Sequence, residues 1–99
     1  MKDKMKHQRL FYTLLQQLQM QVWVSLGKVK NPISMKAETN YALARLSIEI
    51  MEMLRDKTEG NRTPEESDIL ENLLNDLQSH YLKETETTKI SENGESAAE

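Results

Sequence analysis

A chain of 99 residues with no cysteine and a net charge of −3 has room for one small domain, which no disulfide can stabilise. A core of this size is marginal alone, so we expect self-association. The absence of cysteine excludes a cysteine nucleophile and favours a reducing compartment, so we expect a cytoplasmic protein.

Charge is distributed unevenly along the chain. Up to Lys36 there are seven Lys or Arg residues and one acid, whereas the remainder carries six basic and fifteen acidic residues, so the two parts carry +6 and −9. This asymmetry favours contact between the two parts, within one chain or between subunits. The alternative is an external acidic partner for the basic N-terminal part.

A first helix is predicted over about residues 7–26, after a flexible basic N-terminus at residues 1–6. Glutamines at positions 16, 17, 19 and 21 make this segment too polar for a signal peptide or a transmembrane helix. Gly27 is predicted to end the helix in a left-handed conformation, and Pro32 prevents its direct continuation. The predicted core stripe consists of Phe11, Leu14, Leu15, Leu18, Val22, Leu26 and Val29.

The second half of this helix is apolar almost all round. Tyr12 and Trp23 flank the core stripe, and Met20 and Val24 lie nearly opposite it. One neighbouring helix cannot cover so much surface, so we expect Met20, Trp23 and Val24 to lack cover within one chain. Together with Tyr12 they form the predicted interface of a homodimer in which the first helices cross.

A second helix is predicted over about residues 36–58, with an apolar stripe so wide that it needs two neighbours. It can pack on the first helix with one flank and on the third helix with the other. The stripe consists of Leu43, Leu46, Ile50, Met53 and Leu54, widened by Ala44, Ile48 and Met51.

The connection to the third helix contains the strongest local signal in the sequence. Gly60 is predicted to end the second helix, Thr63 to cap the third, and Pro64 to take its first position. Glu66 completes a capping box with Thr63, and Asn61 belongs to the same turn. Because this connection is short, the second and third helices must form an antiparallel hairpin.

A third helix is predicted over about residues 64–82, with one apolar face for which the second helix is the expected neighbour. From Glu84 to Glu99 the composition is polar and acidic, with only Ile90 as an isolated apolar residue, so a disordered acidic tail is expected. The predicted fold is therefore all-α: three helices over residues 7–83, completed by dimerisation. The apolar face of the third helix consists of Ile69, Leu70, Leu73, Leu74, Leu77 and Tyr81.

The run from Lys57 to Glu66, together with residues on both sides of it from Leu26 to Tyr81, forms a recognisable pattern. Over roughly residues 19–82 this pattern resembles a known bacterial family, the domain of unknown function 1844. The run is its most specific part and looks like the family's connection between helices. The sequence departs from the family pattern at Arg62, at Gln78 and at Ser34-Met35-Lys36. The resemblance implies the helical fold and no activity. Other residues that carry it are Leu26, Gly27, Pro32, Ala42, Leu43, Ala44, Met53, Leu54, Leu73, Leu74, Asp76, Leu77 and Tyr81.

Candidates for catalysis or cofactor binding are few. Asp76, His80 and Glu84 are spaced by four on the third helix, a spacing that suits a divalent metal but also ordinary pairing along a helix edge, which we favour. The three glycines are isolated, so a phosphate-binding loop is excluded. Lys57, Thr58 and Asn61 could hold an anion, although turn formation explains them. We expect no catalytic residue, no metal site, no cofactor and no enzymatic activity.

Two functions are consistent with these features. The first is a self-associating interaction or adaptor module with an unidentified protein partner. The alternative is a ribosome- or RNA-associated accessory factor that binds through the basic part with Tyr12 and Trp23, although an acidic protein with dispersed cations is a poor general binder. Membrane contact is not expected, because the polar positions of the first helix are mostly Gln rather than Lys or Arg.

Overall fold

The computed structural model of the chain describes the backbone of residues 2–98 and the side chains of residues 3–86. It contains α1 (Lys2–Ser25), α2 (Tyr41–Lys57) and α3 (Pro64–Ala98), and no strand within the described residues. The predicted all-α class with three helices is confirmed. One isolated antiparallel bridge joins Leu26 to Thr39, between α1 and α2.

α1 begins five residues before the predicted start, because residues 2–6 contain no helix breaker and Asp3 lies in the first turn, where its charge favours the helix dipole. It ends at Ser25, and Gly27 just beyond it adopts the predicted left-handed conformation, with φ +78°. The N–H of Gly27 donates to the carbonyl of Val24, and that of Lys28 donates to the carbonyl of Trp23. These bonds satisfy the last carbonyls of the helix.

α2 begins at Tyr41, so the predicted start near residue 36 is wrong. Asn40 caps the helix by accepting a hydrogen bond from the N–H of Leu43 at 3.1 Å. The N–H of Asn40 itself donates to the carbonyl of Ser25 at 2.7 Å. This tertiary bond and the adjacent bridge hold the preceding segment out of the helix, whereas apolar periodicity alone did not locate the start.

α3 begins at Pro64 as predicted and continues beyond residue 82 to Ala98. The predicted disorder of residues 84–99 stays a prediction, since the side chains of residues 87–99 lie outside the described part of the chain. The connection from Thr58 to Thr63 turns α3 back along α2, so these helices form the predicted hairpin.

The core contains one face of each helix, and every pair of helices is in contact. The expectation that α3 packs only on α2 is therefore wrong. Trp23 and Lys28, in and just after α1, contact His80 and Glu84 of α3. Among the side chains of residues 3–86, the buried apolar ones are Leu15, Leu18, Val22, Leu26, Ala44, Ile48, Met51, Leu70, Leu74 and Leu77.

The buried face of α2 differs from the stripe of large residues that the sequence predicted. Ala44, Ser47 and Met51 are fully buried, whereas Leu46 and Met53 are exposed. Small side chains at positions 44 and 47 allow neighbouring helices to approach closely, and the hydroxyl of Ser47 donates to the carbonyl of Leu43 at 2.9 Å. Much of the predicted stripe therefore borders the core instead of filling it.

Candidate interaction surface

The four residues of the predicted interface differ in how far the chain itself covers them. Trp23 is half-buried, and its ring lies edge-on to the ring of His80 with centroids 4.6 Å apart. Val24 is also half-buried, whereas Met20 is 53% exposed. The expectation that Trp23 lacks cover within one chain is therefore wrong, because α3 packs beside this part of α1.

Tyr12, the fourth predicted residue, lies on the same side of α1, near the first turn of α3. Its hydroxyl accepts a hydrogen bond from the side-chain amide of Gln8 at 3.3 Å. Desolvation raises the pKa of Tyr12, and the nearby carboxylates of Glu66 and Glu65 raise it further. Tyr12 thus packs against the core on the side of α1 that faces the first turn of α3.

Large apolar side chains remain exposed on the opposite side of α1 and α2. Leu10 and Leu14 are one helical turn apart on α1, and Leu46, Ile50 and Met53 share a face of α2. Four of these side chains are between 39% and 55% exposed, and Ile50 is half-buried. We call these five residues the α1–α2 face.

The position of this face follows from the helix contacts. Trp23 and Tyr12 place α3 on one side of α1, and the hydrogen bond from Gln78 to Glu52 at 2.8 Å places it on one side of α2. The rows of the α1–α2 face lie on the other side of each helix, away from α3.

The two rows also lie at the same height along the helices. The bridge joins Leu26 to Thr39, and α1 and α2 run antiparallel from there, so Leu14 lies level with the middle of α2. The two rows therefore flank one seam.

The connection between α2 and α3 has the local geometry that the sequence predicts. The N–H of Thr63 donates to the side chain of Glu66 at 2.7 Å, and the N–H of Glu66 donates to the hydroxyl of Thr63 at 3.1 Å. Gly60 has φ +85°, and the N–H of Asn61 donates to the carbonyl of Thr58 at 2.9 Å. These bonds complete the capping box and the turn before Pro64.

Arg62 has a structural role that the sequence analysis missed. Its guanidinium donates to the hydroxyl of Thr58 at 2.9 Å, to the hydroxyl of Ser67 at 3.0 Å and to the carbonyl of Arg55. It thereby joins the end of α2 to the start of α3. The signal in the sequence is an arginine just after a predicted helix end with hydroxyl residues four before and five after it.

A cleft of about 650 Å³ lies between the N-terminal turns of α1 and this connection. One of the cationic side chains that line it, Arg62, does not point into the cleft as a free charge, because it is hydrogen-bonded to the end of α2 and the start of α3. The capping box also occupies the first free amides of α3. The cleft is therefore a gap between packed helices, and these polar groups on its wall are already hydrogen-bonded within the chain. It is lined by Lys4, Met5, His7, Gln8, Phe11, Thr58, Gly60, Asn61, Arg62, Thr63 and Glu66.

The Asp76, His80 and Glu84 ladder is divided among different partners. The imidazole Nε2 of His80 lies 3.5 Å from Asp76, while the carboxylate of Glu84 pairs with Lys28 at 2.6 Å. That hydrogen bond from Lys28 is the main cause of a lowered pKa at Glu84. Among the side chains of residues 3–86, no group of three His, Asp or Glu residues is arranged to hold a metal ion.

A family model covers residues 8–83, and so includes α1 from Gln8 onward, all of α2, and α3 as far as Lys83. The chain belongs to the domain of unknown function 1844 (DUF1844) family. The match extends the resemblance seen from about residue 19 toward the N-terminus, so the DUF1844 region contains both rows of the α1–α2 face.

Comparison of this DUF1844 member with curated proteins and with solved structures finds no match. No helix among its described residues is both long enough and apolar enough to cross a membrane.

Proposed function

We propose that this protein is a non-enzymatic interaction module that forms a two-fold homodimer through the α1–α2 face. The observation that carries the proposal is the cluster of exposed and half-buried Leu, Ile and Met side chains on both sides of one helix seam. Apolar side chains clustered in this way are typical of protein interfaces, whereas scattered ones need no explanation. A domain with so small a core gains stability when this face is covered.

Charge favours a second copy of the chain as the occupant. By helical periodicity, Lys6 lies on the outer edge of the α1 row, and Glu49 and Asp56 lie on the outer edge of the α2 row. All three side chains are exposed. The same surface therefore carries a basic edge and an acidic edge. Glu49 and Asp56 also pair with Arg45 at 3.9 Å and Arg55 at 3.2 Å on their own helix, so the charge contact adds to the apolar contact without replacing it.

A two-fold axis along the helices brings these edges together. It places α1 of one subunit on α2 of the other, with the two apolar faces in contact. Since α1 and α2 run antiparallel, Lys6 near the start of one α1 then approaches Asp56 near the end of the other α2. The dimer so formed leaves α3 on the outside of both subunits, where it remains free for another protein.

Sedimentation velocity of a paired set of variants tests the proposal. Leu14→Glu with Leu46→Glu should convert the dimer to a monomer, because it places four carboxylates in the apolar centre of the interface. The matched control is Ile69→Glu with Leu82→Glu, two α3 residues of comparable exposure outside the face, which should remain dimeric.

Charge reversal tests the identity of the occupant. Lys6→Glu should weaken dimerisation threefold to tenfold, and adding Asp56→Lys should restore it, because the second change reinstates an opposite pair across the axis. A parent chain that sediments as a monomer at micromolar concentration would contradict the dimer. A dimer that is lost on Met20→Glu but kept in the Leu14 and Leu46 variant would instead place the interface at the predicted α1 crossing.

A further inference from the structure

The connection between α1 and α2 presents the most exposed apolar side chains among the described residues. Ile33 is 92% exposed and Met35 is 70% exposed, and Val29 near the base of the loop is also exposed. We call residues 28–36 the α1–α2 loop. It lies beyond the C-terminal end of α1 and takes no part in the α1–α2 face.

This loop is held in one shape by its own hydrogen bonds. The side-chain carbonyl of Asn31 accepts from the N–H of Ile33 at 2.8 Å, and its backbone carbonyl accepts from the N–H of Met35 at 2.7 Å. The N–H of Asn31 donates to the carbonyl of Lys36 at 2.9 Å and closes the loop. Ile33 and Met35 are thus fixed at its tip, pointing away from the core.

Met35 adopts φ +61°, in the left-handed region that side chains other than Gly, Asn and Asp seldom occupy. A methionine here costs stability, and its side chain gains no burial in return. The fold itself therefore gives no reason for an apolar side chain at this position.

The loop is also strongly basic. It contains Lys28, Lys30 and Lys36, and no acidic residue lies between Gly27 and Ala37. Lys28 pairs with Glu84, while Lys30 and Lys36 are exposed and form no ion pair with any residue from 3 to 86. Two free cations therefore flank two exposed aliphatic side chains.

We propose that the α1–α2 loop binds an anionic lipid surface, with Ile33 and Met35 inserted among the acyl chains and Lys30 and Lys36 on the headgroups. Charge complementarity supports this occupant, since each lysine near an anionic membrane adds to binding. Aliphatic side chains at the tip gain free energy when they leave water for the hydrocarbon boundary. The sequence-based expectation of no membrane contact considered only the first helix.

The composition of the loop favours lipid over the other anionic surfaces. Single-stranded RNA is bound by aromatic and arginine side chains that stack on bases, and residues 28–36 contain neither. Protein interfaces are depleted in lysine at their centres. An anionic bilayer requires only dispersed cations around an apolar tip, which is the arrangement present here.

Flotation of the full chain with vesicles tests the proposal. We expect binding to vesicles of phosphatidylcholine with phosphatidylglycerol, weaker binding in high salt, and none to phosphatidylcholine alone. Lys30→Gln with Lys36→Gln should reduce the partition coefficient about thirtyfold, and Ile33→Ser with Met35→Ser about tenfold or more. These positions are exposed, so circular dichroism of the variants should match the parent.

The matched control is Ile69→Ser with Leu82→Ser, which removes exposed apolar side chains from α3 and should bind vesicles as the parent does. The proposal is overturned if the parent does not float with anionic vesicles, or if both loop variants float as well as the control. It is also overturned if the loop variants lose binding to single-stranded RNA while vesicle binding is unchanged, since that result assigns the loop to nucleic acid.

Discussion

At the scale of single residues, Gly60 and Thr63 determine how sharply the chain turns between α2 and α3. Gly60→Val should destabilise the fold by about 1–2 kcal/mol, because a β-branched residue resists the φ of +85°. A Cβ at position 60 meets nothing within 4 Å, so the cost comes from the backbone alone. Thr63→Ala should cost about 1 kcal/mol through loss of the cap. Urea unfolding measures both.

Gly60→Asn is the control for this interpretation, because Asn tolerates the left-handed region better than Val does. It should lie much closer to the parent than Gly60→Val. Equal losses for Asn and Val would mean that crowding, and not backbone conformation, decides the effect at this position.

Arg62 offers a second residue-scale prediction. Arg62→Met should destabilise the protein by about 1–2 kcal/mol, because the half-buried fork donates to groups on both helices. Arg62→Lys should recover only part of the lost stability, since an ammonium group cannot reproduce the planar set of donors of the guanidinium. Arg45→Met is the matched control: its exposed pair with Glu49, at 3.9 Å, should contribute almost nothing. Similar unfolding curves for the two methionine variants would refute the role given to Arg62.

These residues differ in how well the sequence predicts them. The capping box is local, because Thr63 and Glu66 are three residues apart and satisfy each other, so the sequence identifies it completely. The cover over Trp23 comes from His80, which is distant in sequence. No local sequence pattern predicts which side of α1 will face α3. The sequence therefore wrongly predicted that Trp23 lacks cover within one chain.

At the scale of whole helices, the existence and order of the three elements follow from apolar periodicity, while the start of α2 does not. Asn40 caps α2, but its own N–H is held by Ser25 at the end of α1. The helix start therefore depends on a tertiary contact. The size of the apolar side chains also predicts the wrong buried face for α2. The small residues Ala44 and Ser47 lie in the core, whereas the larger Leu46 lies outside it.

The contact of α3 with the segment after α1 leads to a prediction about pH. The hydrogen bond from Lys28 lowers the pKa of Glu84 below its ordinary value of 4.5, so the folded state binds this proton more weakly than the unfolded chain. The resulting stabilisation is fully present above pH 4.5 and is lost as the pH falls through the lowered pKa. Glu84→Gln should therefore melt below the parent at pH 7, with the difference shrinking on acidification.

The two side chains are 35% and 31% exposed, so solvent screens the pair in part. The difference in melting temperature should therefore be small and should also decrease with added salt. Lys28→Met should give the same pH profile as Glu84→Gln, because each variant removes one half of the same pair. If the melting temperatures of Glu84→Gln and the parent differ by the same amount down to acidic pH, the charge of Glu84 is not the source of its effect on stability.

At the scale of the molecule, the basic N-terminal part and the acidic remainder meet only partly within one chain. Lys28 and Glu84 form an ion pair between them, whereas Lys6, Lys30 and Lys36 remain exposed. In the two proposals these cations have different roles. Lys6 selects a second copy of the chain, and Lys30 and Lys36 select an anionic lipid surface.

If the native state is a dimer, its stability depends on protein concentration, which a monomer's does not. Each tenfold increase in concentration favours the folded dimer by about 1.4 kcal/mol, so the melting temperature should rise by a few degrees per decade. The Leu14→Glu, Leu46→Glu variant should melt at one temperature throughout, below the parent, since its α1–α2 face stays in water. The Ile69→Glu, Leu82→Glu control should keep the parent's dependence. A parent melting temperature that is constant over a hundredfold range of concentration would show that the buried apolar core between Leu15 and Leu77 suffices for a single chain, and would leave the α1–α2 face for a different protein.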